Sequence, residues 1–358
     1  MNSLTPKQKW FKNISLTPKD RLYIGLDVHK KSISVGIWRH DHIALTFNTS
    51  PSPQRLIQQL LPLKKALKNI VYEAGPTGFG LARALQQAGL PVQVISPAHT
   101  PRPAKRQSKT DRLDCRQLAQ YAAKDLLKPV TIPTEQQEAD RQLSRLRDQL
   151  VAKRRRVYQQ IKSFLLQYGL EEPEGLSRWT QASIKQLIQM SLSHPLRFTL
   201  DTYLQELDEL TRYIQQTEAE LRTLAETPRL RHTIDILKSH PGVGDVTAWA
   251  FALELFQCRR FQHATEVAAY LGLAPQIIQS GQTCREGPIT KTGRKSLRSK
   301  LIEASWIWIR RDPHARKTYH RLYHNTGQAN KAIVAMARRL AVHLWRMLCT
   351  HQYFKPAA

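Results

Sequence analysis

Four acidic side chains stand where carboxylates are either costly or clustered. Asp27 interrupts the apolar run Leu22-Tyr-Ile-Gly-Leu-Asp-Val, and Glu73 ends a second run, Ile70-Val-Tyr-Glu. An ionised group inside an apolar strand is unfavourable unless it is paired or bound to a cation. Asp111 and Asp114 lie three apart at the start of a predicted helix, hence on one face. Carboxylates from two strands and a helix make the all-oxygen donor set that suits hard divalent cations such as Mg²⁺. Two such ions about 3.5–4 Å apart clamp the attacking and leaving oxygens of phosphoryl transfer. Simpler explanations compete. Acids favour the first turn of a helix, where Thr110 could cap, and Asp27 or Glu73 could meet an arginine. The combination is what stands out, because the chain has only 28 acids and spends two of them inside apolar strands.

Two glycine-containing segments could handle phosphate. In Ser239-His-Pro-Gly-Val-Gly-Asp, Gly242 and Gly244 separate two helical stretches, as in a helix-hairpin-helix turn whose N–H groups approach a phosphate. An ordinary tight turn between helices explains the same residues. The second segment runs over residues 278–298 as a Gly-rich basic loop leading into a helix. It carries Arg285, Lys291, Arg294, Lys295 and Arg298 against one acid, Glu286, a composition suited to a phosphate backbone. Ser280 lies in this loop. By composition it is a loop serine with no base at a telling spacing, although a metal or arginines could activate it as a nucleophile. Further basic runs hold Arg102, Lys105, Arg106 and Lys109 before the acidic helix, and Lys153, Arg154, Arg155 and Arg156 on a long helix.

The elements that must position these groups divide the chain. After an N-terminal extension (1–21), residues 22–130 read as α/β. A three-stranded antiparallel meander is followed by helix, strand, helix, strand, a proline-punctuated loop (97–110) and a helix from about 111 to 124. Such alternation implies a mixed sheet with helical cover. Residues 131–229 are rich in Gln, Glu, Arg and Leu. Leu143, Leu146, Leu150, Val157, Ile161, Phe164 and Tyr168 form one seam, and Leu200 to Leu224 a second, predicting two long coiled-coil-like helices. They form an internal hairpin or a dimerisation device; periodicity alone does not choose. Residues 230–350 are helical and basic, with Trp306, Trp308 and Trp345 expected in the core, and 351–358 are a tail.

Lys and Arg total 55 against 28 Asp and Glu, a formal net charge of +27. Such an excess calls for a polyanion. No stretch approaches the roughly 18 apolar residues of a membrane span, and the lysine-rich start has no apolar signal-peptide core, so no membrane partner is expected. Cys115, Cys258, Cys284 and Cys349 are far apart without a C-x-x-C pair. That argues against a zinc module or disulfide framework and for a reducing cytoplasm.

Tyr23-Ile-Gly-Leu-Asp-Val-His-Lys, Tyr72-Glu-Ala-Gly-Pro-Thr-Gly, Lys109-Thr-Asp-Arg-Leu-Asp, Pro241-Gly-Val-Gly, and Gln279-Ser-Gly followed by Gly287-Pro-Ile-Thr-Lys-Thr-Gly occur in that order. Together they resemble the insertion-sequence one-ten family of transposases, the DEDD transposases, over roughly residues 22–345. The resemblance implies a RuvC-like domain of ribonuclease-H type whose tetrad maps to Asp27, Glu73, Asp111 and Asp114 as ligands of two Mg²⁺ ions, with Mn²⁺ able to substitute. It implies a C-terminal transposase domain whose nucleophilic serine maps to Ser280. It further implies a homo-oligomer, a dimer assembling to a tetramer through the coiled coil, and a structured bridge RNA that pairs with donor and target DNA. Members often carry two adjacent serines before the glycine; here Gln279 precedes Ser280.

Three functions compete on this reading. The first is a DNA recombinase acting through Ser280 and the metal site. The second is a RuvC-like nuclease that resolves branched DNA with metal-activated water. The third is a non-enzymatic nucleic-acid-binding protein with relict acids.

Overall fold

Period-two alternation in the first strands sorts side chains onto two faces of one sheet, and the rest of the N-terminal fold follows from that sorting. In the computed structural model of the chain, residues 10–11, 14–97, 100–101, 111–280 and 283–356 are described. The basic run of Arg102, Lys105, Arg106 and Lys109 lies outside them.

The chain divides into two units, one ending at Pro133 and the other starting at Thr134. The first unit is built on a six-stranded sheet in the order β3-β2-β1-β4-β5-β6. Strands β1 (Leu22–Val28), β2 (Ile33–Arg39) and β3 (His42–Thr49) form the expected antiparallel meander. The β2–β3 turn is made by His40 and Asp41, both at positive φ (48° and 59°). β4 (Leu67–Glu73) pairs parallel to β1, and β5 (Val92–Ile95) parallel to β4. The sheet is therefore mixed, as the alternating strands and helices predicted, and its layout fits the ribonuclease-H type. The stretch at Pro129 supplies a two-residue strand, β6 (Pro129–Val130), antiparallel to β5.

One sheet face carries Leu22, Ile24, Leu26, Ile70, Tyr72 and Val94. These are buried against α1 (Pro53–Leu60) and α2 (Gly80–Gln87), through Leu56, Leu60, Leu81 and Leu85. The opposite face carries Tyr23, Val71 and Ile95, covered by Leu118 and Ala122 of α3 (Asp111–Ala123).

In the second unit, α4 (Glu135–Gln167) and α6 (His194–Ala225) are the two long helices, packed on each other through Val157, Ile161, Phe164, Leu200, Leu207 and Leu210. A capping box, Thr134 with Gln137, starts α4. Two seam residues miss the core: Leu146 and Tyr168 are exposed. Between the long helices the irregular piece contains α5 (Gln181–Gln189). Leu221 and Ala225, at the end of α6, share one core with the C-terminal helices. These are α7 (Arg231–Lys238), α8 (Asp245–Leu255), α9 (Ala264–Tyr270), α10 (Lys295–Arg311), α11 (Pro313–Thr326) and α12 (Ala329–Thr350). The segment expected as a Gly-rich loop is largely a hairpin, β7 (Pro275–Ser280) and β8 (Thr283–Ile289). Ile277 and Ile278 on β7, with Thr283 and Ile289 on β8, supply strand formers that the surrounding glycines and cations mask. Trp308 is buried and Trp345 half-buried, its Nε1 donating to the Cys258 carbonyl at 2.9 Å. Trp306 departs from the expectation at 37 % exposure, stacked edgewise on Tyr319 at the surface. Among the described residues no helix is long and apolar enough to cross a membrane.

Candidate active site and nucleic-acid interface

Gly25 and Gly36 are directly opposite in the β1–β2 pair, and the helix that carries the acids lies on them. A Cβ on Gly25 would stand 2.0 Å from the Cys115 carbonyl oxygen and 2.5 Å from the Ala119 nitrogen. One on Gly36 would stand 3.0 Å from the same carbonyl. Two missing side chains thus let the α3 backbone rest on the sheet itself. Asp27 is two residues beyond Gly25 and so projects to the same face as α3. Glu73 is two beyond Val71, a residue of the α3-side core, and projects likewise. The parallel register pairs Leu26 with Tyr72, so Asp27 and Glu73 are the next residues of neighbouring strands. Strands are about 4.8 Å apart. Asp114, half-buried, precedes Cys115 on α3. Asp111 is the first residue of that helix, and its side chain lies outside the described residues.

The electrostatics agree with this layout. Burial pushes the Cys115 thiol up to about 11, and the negative charge of Asp27 adds to the shift. Asp27 therefore lies close enough to the first turns of α3 to be felt there. His29 Nε2 is 3.1 Å from Asp27 Oδ2, and the Thr100 hydroxyl donates to Glu73 Oε1 at 2.7 Å. Neither partner was picked out in the sequence. His29 had a signal, since it lies two residues beyond Asp27, just past the end of β1; Thr100, from a loop, had none. Among the described residues no three His, Cys, Asp or Glu side chains form a ready metal cluster. The oxygen donors gathered on the α3 face nonetheless fit a hard divalent cation in kind.

In the second unit Ser280 is the last residue of β7, paired with Thr283, and its side chain lies outside the described residues. The base of this hairpin is clamped. Gly272 and Gly293 both adopt left-handed φ (67° and 73°). A Cβ on Gly272 would meet the Thr292 carbonyl oxygen at 1.9 Å, and one on Gly293 the Tyr270 carbonyl oxygen at 2.1 Å. Arg298 is buried between them, donating from Nη1 to the carbonyls of Leu271 (3.1 Å) and Thr292 (3.0 Å). Arg298, expected at a nucleic-acid surface, is thus a structural clamp. Arg294 is likewise drawn inward, 3.5 Å from Asp148 on α4, which also pairs with Lys300. Arg285, Lys291 and Lys295 stay exposed, as do Lys153, Arg155 and Arg156 on α4. Arg154 is half-buried with its guanidinium over Tyr158, which stacks on Trp179 at 4.0 Å.

The glycines of the turn between α7 and α8 divide in role. Gly242 is buried, and a Cβ there would fall 2.5 Å from the Ala304 carbonyl oxygen of α10. Helix packing therefore accounts for Gly242, and the expected phosphate contact at this residue is corrected. Gly244 is exposed at the N-cap of α8, whose first residue, Asp245, pairs with Lys238 at 2.6 Å.

Comparison with known proteins gives this geometry a context. A DEDD transposase family matches residues 24–170, the stretch that holds all four acids, and the IS116/IS110/IS902 transposase family matches residues 234–320, the stretch that holds Ser280. The transposase of insertion sequence IS1328 from Yersinia enterocolitica is 30% identical over 236 residues, 64% of this chain and 68% of the relative. That of IS1111A from Coxiella burnetii is 27% identical over 285 residues, 77% of this chain and 76% of the relative. A pilin gene-inverting protein of Moraxella bovis is 32% identical over 116 residues, 32% of this chain and 36% of the relative. With the DEDD and C-terminal matches in order on one chain and these similarities across most of its length, the protein belongs to the IS116/IS110/IS902 family of insertion-sequence transposases.

Proposed function

We propose that this transposase is a DNA recombinase that cleaves and joins strands through two groups of residues: the carboxylates Asp27, Glu73, Asp111 and Asp114, and the hydroxyl of Ser280. The observation that carries the first group is the shared sheet face. Asp27 and Glu73 end adjacent parallel strands on the side that Gly25 and Gly36 open to α3, the helix bearing Asp111 and Asp114. Mg²⁺, two ions in this reading, would supply Lewis-acid stabilisation of the phosphate charge. His29 and Thr100 hold Asp27 and Glu73 in orientation. Ser280 Oγ attacks a DNA phosphodiester, gives up its proton to solvent or a nearby base, and forms a phosphoserine ester as the 3′-oxygen leaves. The bond energy kept in that ester permits rejoining to a second strand.

Further elements of the proposal follow the family resemblance. The α4–α6 pair acts as a coiled coil that assembles the homo-oligomer, a dimer and then a tetramer. The turn at Gly244 acts in the manner of a helix-hairpin-helix. A structured bridge RNA pairs with donor and target DNA, the exposed cations Lys153, Arg155, Arg156, Arg285, Lys291 and Lys295 holding phosphates of one strand or another. A suicide DNA substrate with Mg²⁺ tests the chemistry. A protein–DNA adduct that needs both Ser280 and Asp27 is expected, and its absence overturns the serine mechanism. Cleavage that survives Ser280→Ala but not Asp27→Asn favours instead a RuvC-like nuclease using water. Sequencing of nucleic acid co-purified from the native host tests guidance. A discrete enriched RNA is expected; recombination that proceeds without RNA overturns it.

A further inference from the structure

A cavity of about 750 Å³ opens in the second unit between α9, α11, α12 and the chain beyond α12. It belongs to neither group of residues above. Its volume falls within the range of about 300–1,000 Å³ typical of small organic ligands. Trp308, His343 and Phe354 give it an aromatic wall, while Arg338, Arg339 and Arg346 stand along it from one face of α12. The acid on its lining, Asp312, is already committed. One oxygen accepts from Trp308 Nε1 at 2.8 Å and the other caps α11 through the His314 and Ala315 N–H groups.

Behind the aromatic wall is His240, 1% exposed. Its ring packs on Trp308, His343 and Phe354 at centroid distances of 4.9, 5.3 and 4.7 Å. Its Nδ1 accepts from the Gly242 N–H, so the neutral ring carries its proton on Nε2, which has no hydrogen-bond partner among the described residues.

A planar apolar ring joined to an anion matches such a lining: the ring against Trp308, His343 and Phe354, the anion on the arginines. We propose that this cavity receives one unstacked nucleotide from a bound nucleic-acid strand, the base against the aromatic wall and its phosphate on Arg338, Arg339 and Arg346. The inference rests on the nucleic-acid reading above. An arrangement of this kind offsets the cost of unstacking a base with aromatic contact.

The test is photocrosslinking of the full chain to single-stranded DNA and RNA oligonucleotides carrying 5-iodouracil, with peptide mapping and with anisotropy to follow total binding. Crosslinks to peptides containing Trp308, His343 or Phe354 are expected, and the arm that gives them names the strand. The pair Arg339→Glu and Arg346→Glu, both exposed, should cut these crosslinks about tenfold. Thr265→Trp, at the exposed edge of α9, should do the same by filling the opening. Strands that bind but crosslink only elsewhere overturn the pocket and leave the nucleic-acid reading intact. Failure to bind either strand overturns both. Crosslinks at Trp308 that neither variant reduces also overturn the pocket.

Discussion

Replacing Gly25 with alanine should disable the carboxylate face without touching a carboxylate. The added methyl would lie 2.0 Å from the Cys115 carbonyl oxygen, where ordinary contact begins at 3.4 Å. Helix α3 must therefore retreat by about 1.4 Å, and Asp111 and Asp114 go with it. Overpacking of this kind costs about 1–3 kcal/mol of stability, and a misplacement of about 1 Å at a reacting centre costs about 10²-fold in rate. Gly36→Ala is the internal control. Its methyl would meet the same carbonyl at 3.0 Å, so a retreat of about 0.4 Å suffices, and the loss should stay below about tenfold. Both variants should be assayed for Mg²⁺-dependent DNA cleavage beside thermal denaturation and circular dichroism. Mn²⁺ binding by calorimetry gives a readout independent of turnover. A folded Gly25→Ala protein that cleaves and binds metal like wild type would refute the argument. So would a Gly36→Ala variant damaged as badly as Gly25→Ala.

Three further outcomes are expected. Burial holds the His240 imidazole down at about 3, so the folded state keeps it neutral while the unfolded chain takes a proton below about 6.5. Its contribution is whole above that pH and drains as pH falls towards 3. Going from pH 7 to 5 should cost about 2 kcal/mol in urea denaturation of wild type, and His240→Asn should flatten that dependence; equal slopes would refute it. Arg298→Ala should lower stability by about 1–3 kcal/mol by leaving the buried Leu271 carbonyl and the part-buried Thr292 carbonyl without this donor, with Arg298→Lys restoring only part; an unchanged urea midpoint would remove the clamp. Cys115, fully buried and pushed up to about 11, should resist a thiol reagent at pH 8 until the protein is denatured, and prompt native labelling would contradict its placement.

Strands and long helices were legible because their periods are strong. The meander, the α3 helix and the two long helices all follow from alternation or 3-4 spacing of apolar residues. The acids were legible because Asp27 and Glu73 break apolar runs. Gly25 and Gly36, which set where α3 lies, were read only as strand residues, since nothing local shows that the backbone of another element will occupy the missing Cβ. The hairpin around Ser280 reads as a loop in the sequence because Gly, Thr and basic residues dilute its strand formers. Arg298 and Gly242 were assigned to phosphate because a charge or a glycine declares its capacity and not its direction. The carbonyls that claim Arg298, from Leu271 and Thr292, become its neighbours only in three dimensions. The aromatic cavity went unread for the same reason: Trp308, His343 and Phe354 meet across separate elements.

Ser280 sits at the far end of a two-stranded ribbon that, among the described residues, no third strand braces. From Pro275 to Ser280 there are five residue steps, a lever arm of about 17 Å at about 3.3 Å per step. Its pivot is the interlock of Gly272, Gly293 and Arg298. Five degrees of rock at that pivot would sweep the tip through about 1.5 Å, an aiming error of the size that matters at a reacting atom. If Ser280 is the nucleophile, as proposed, its aim is set by stiffness at the root of the ribbon, and Gly272 and Gly293 become as exacting a requirement as the serine.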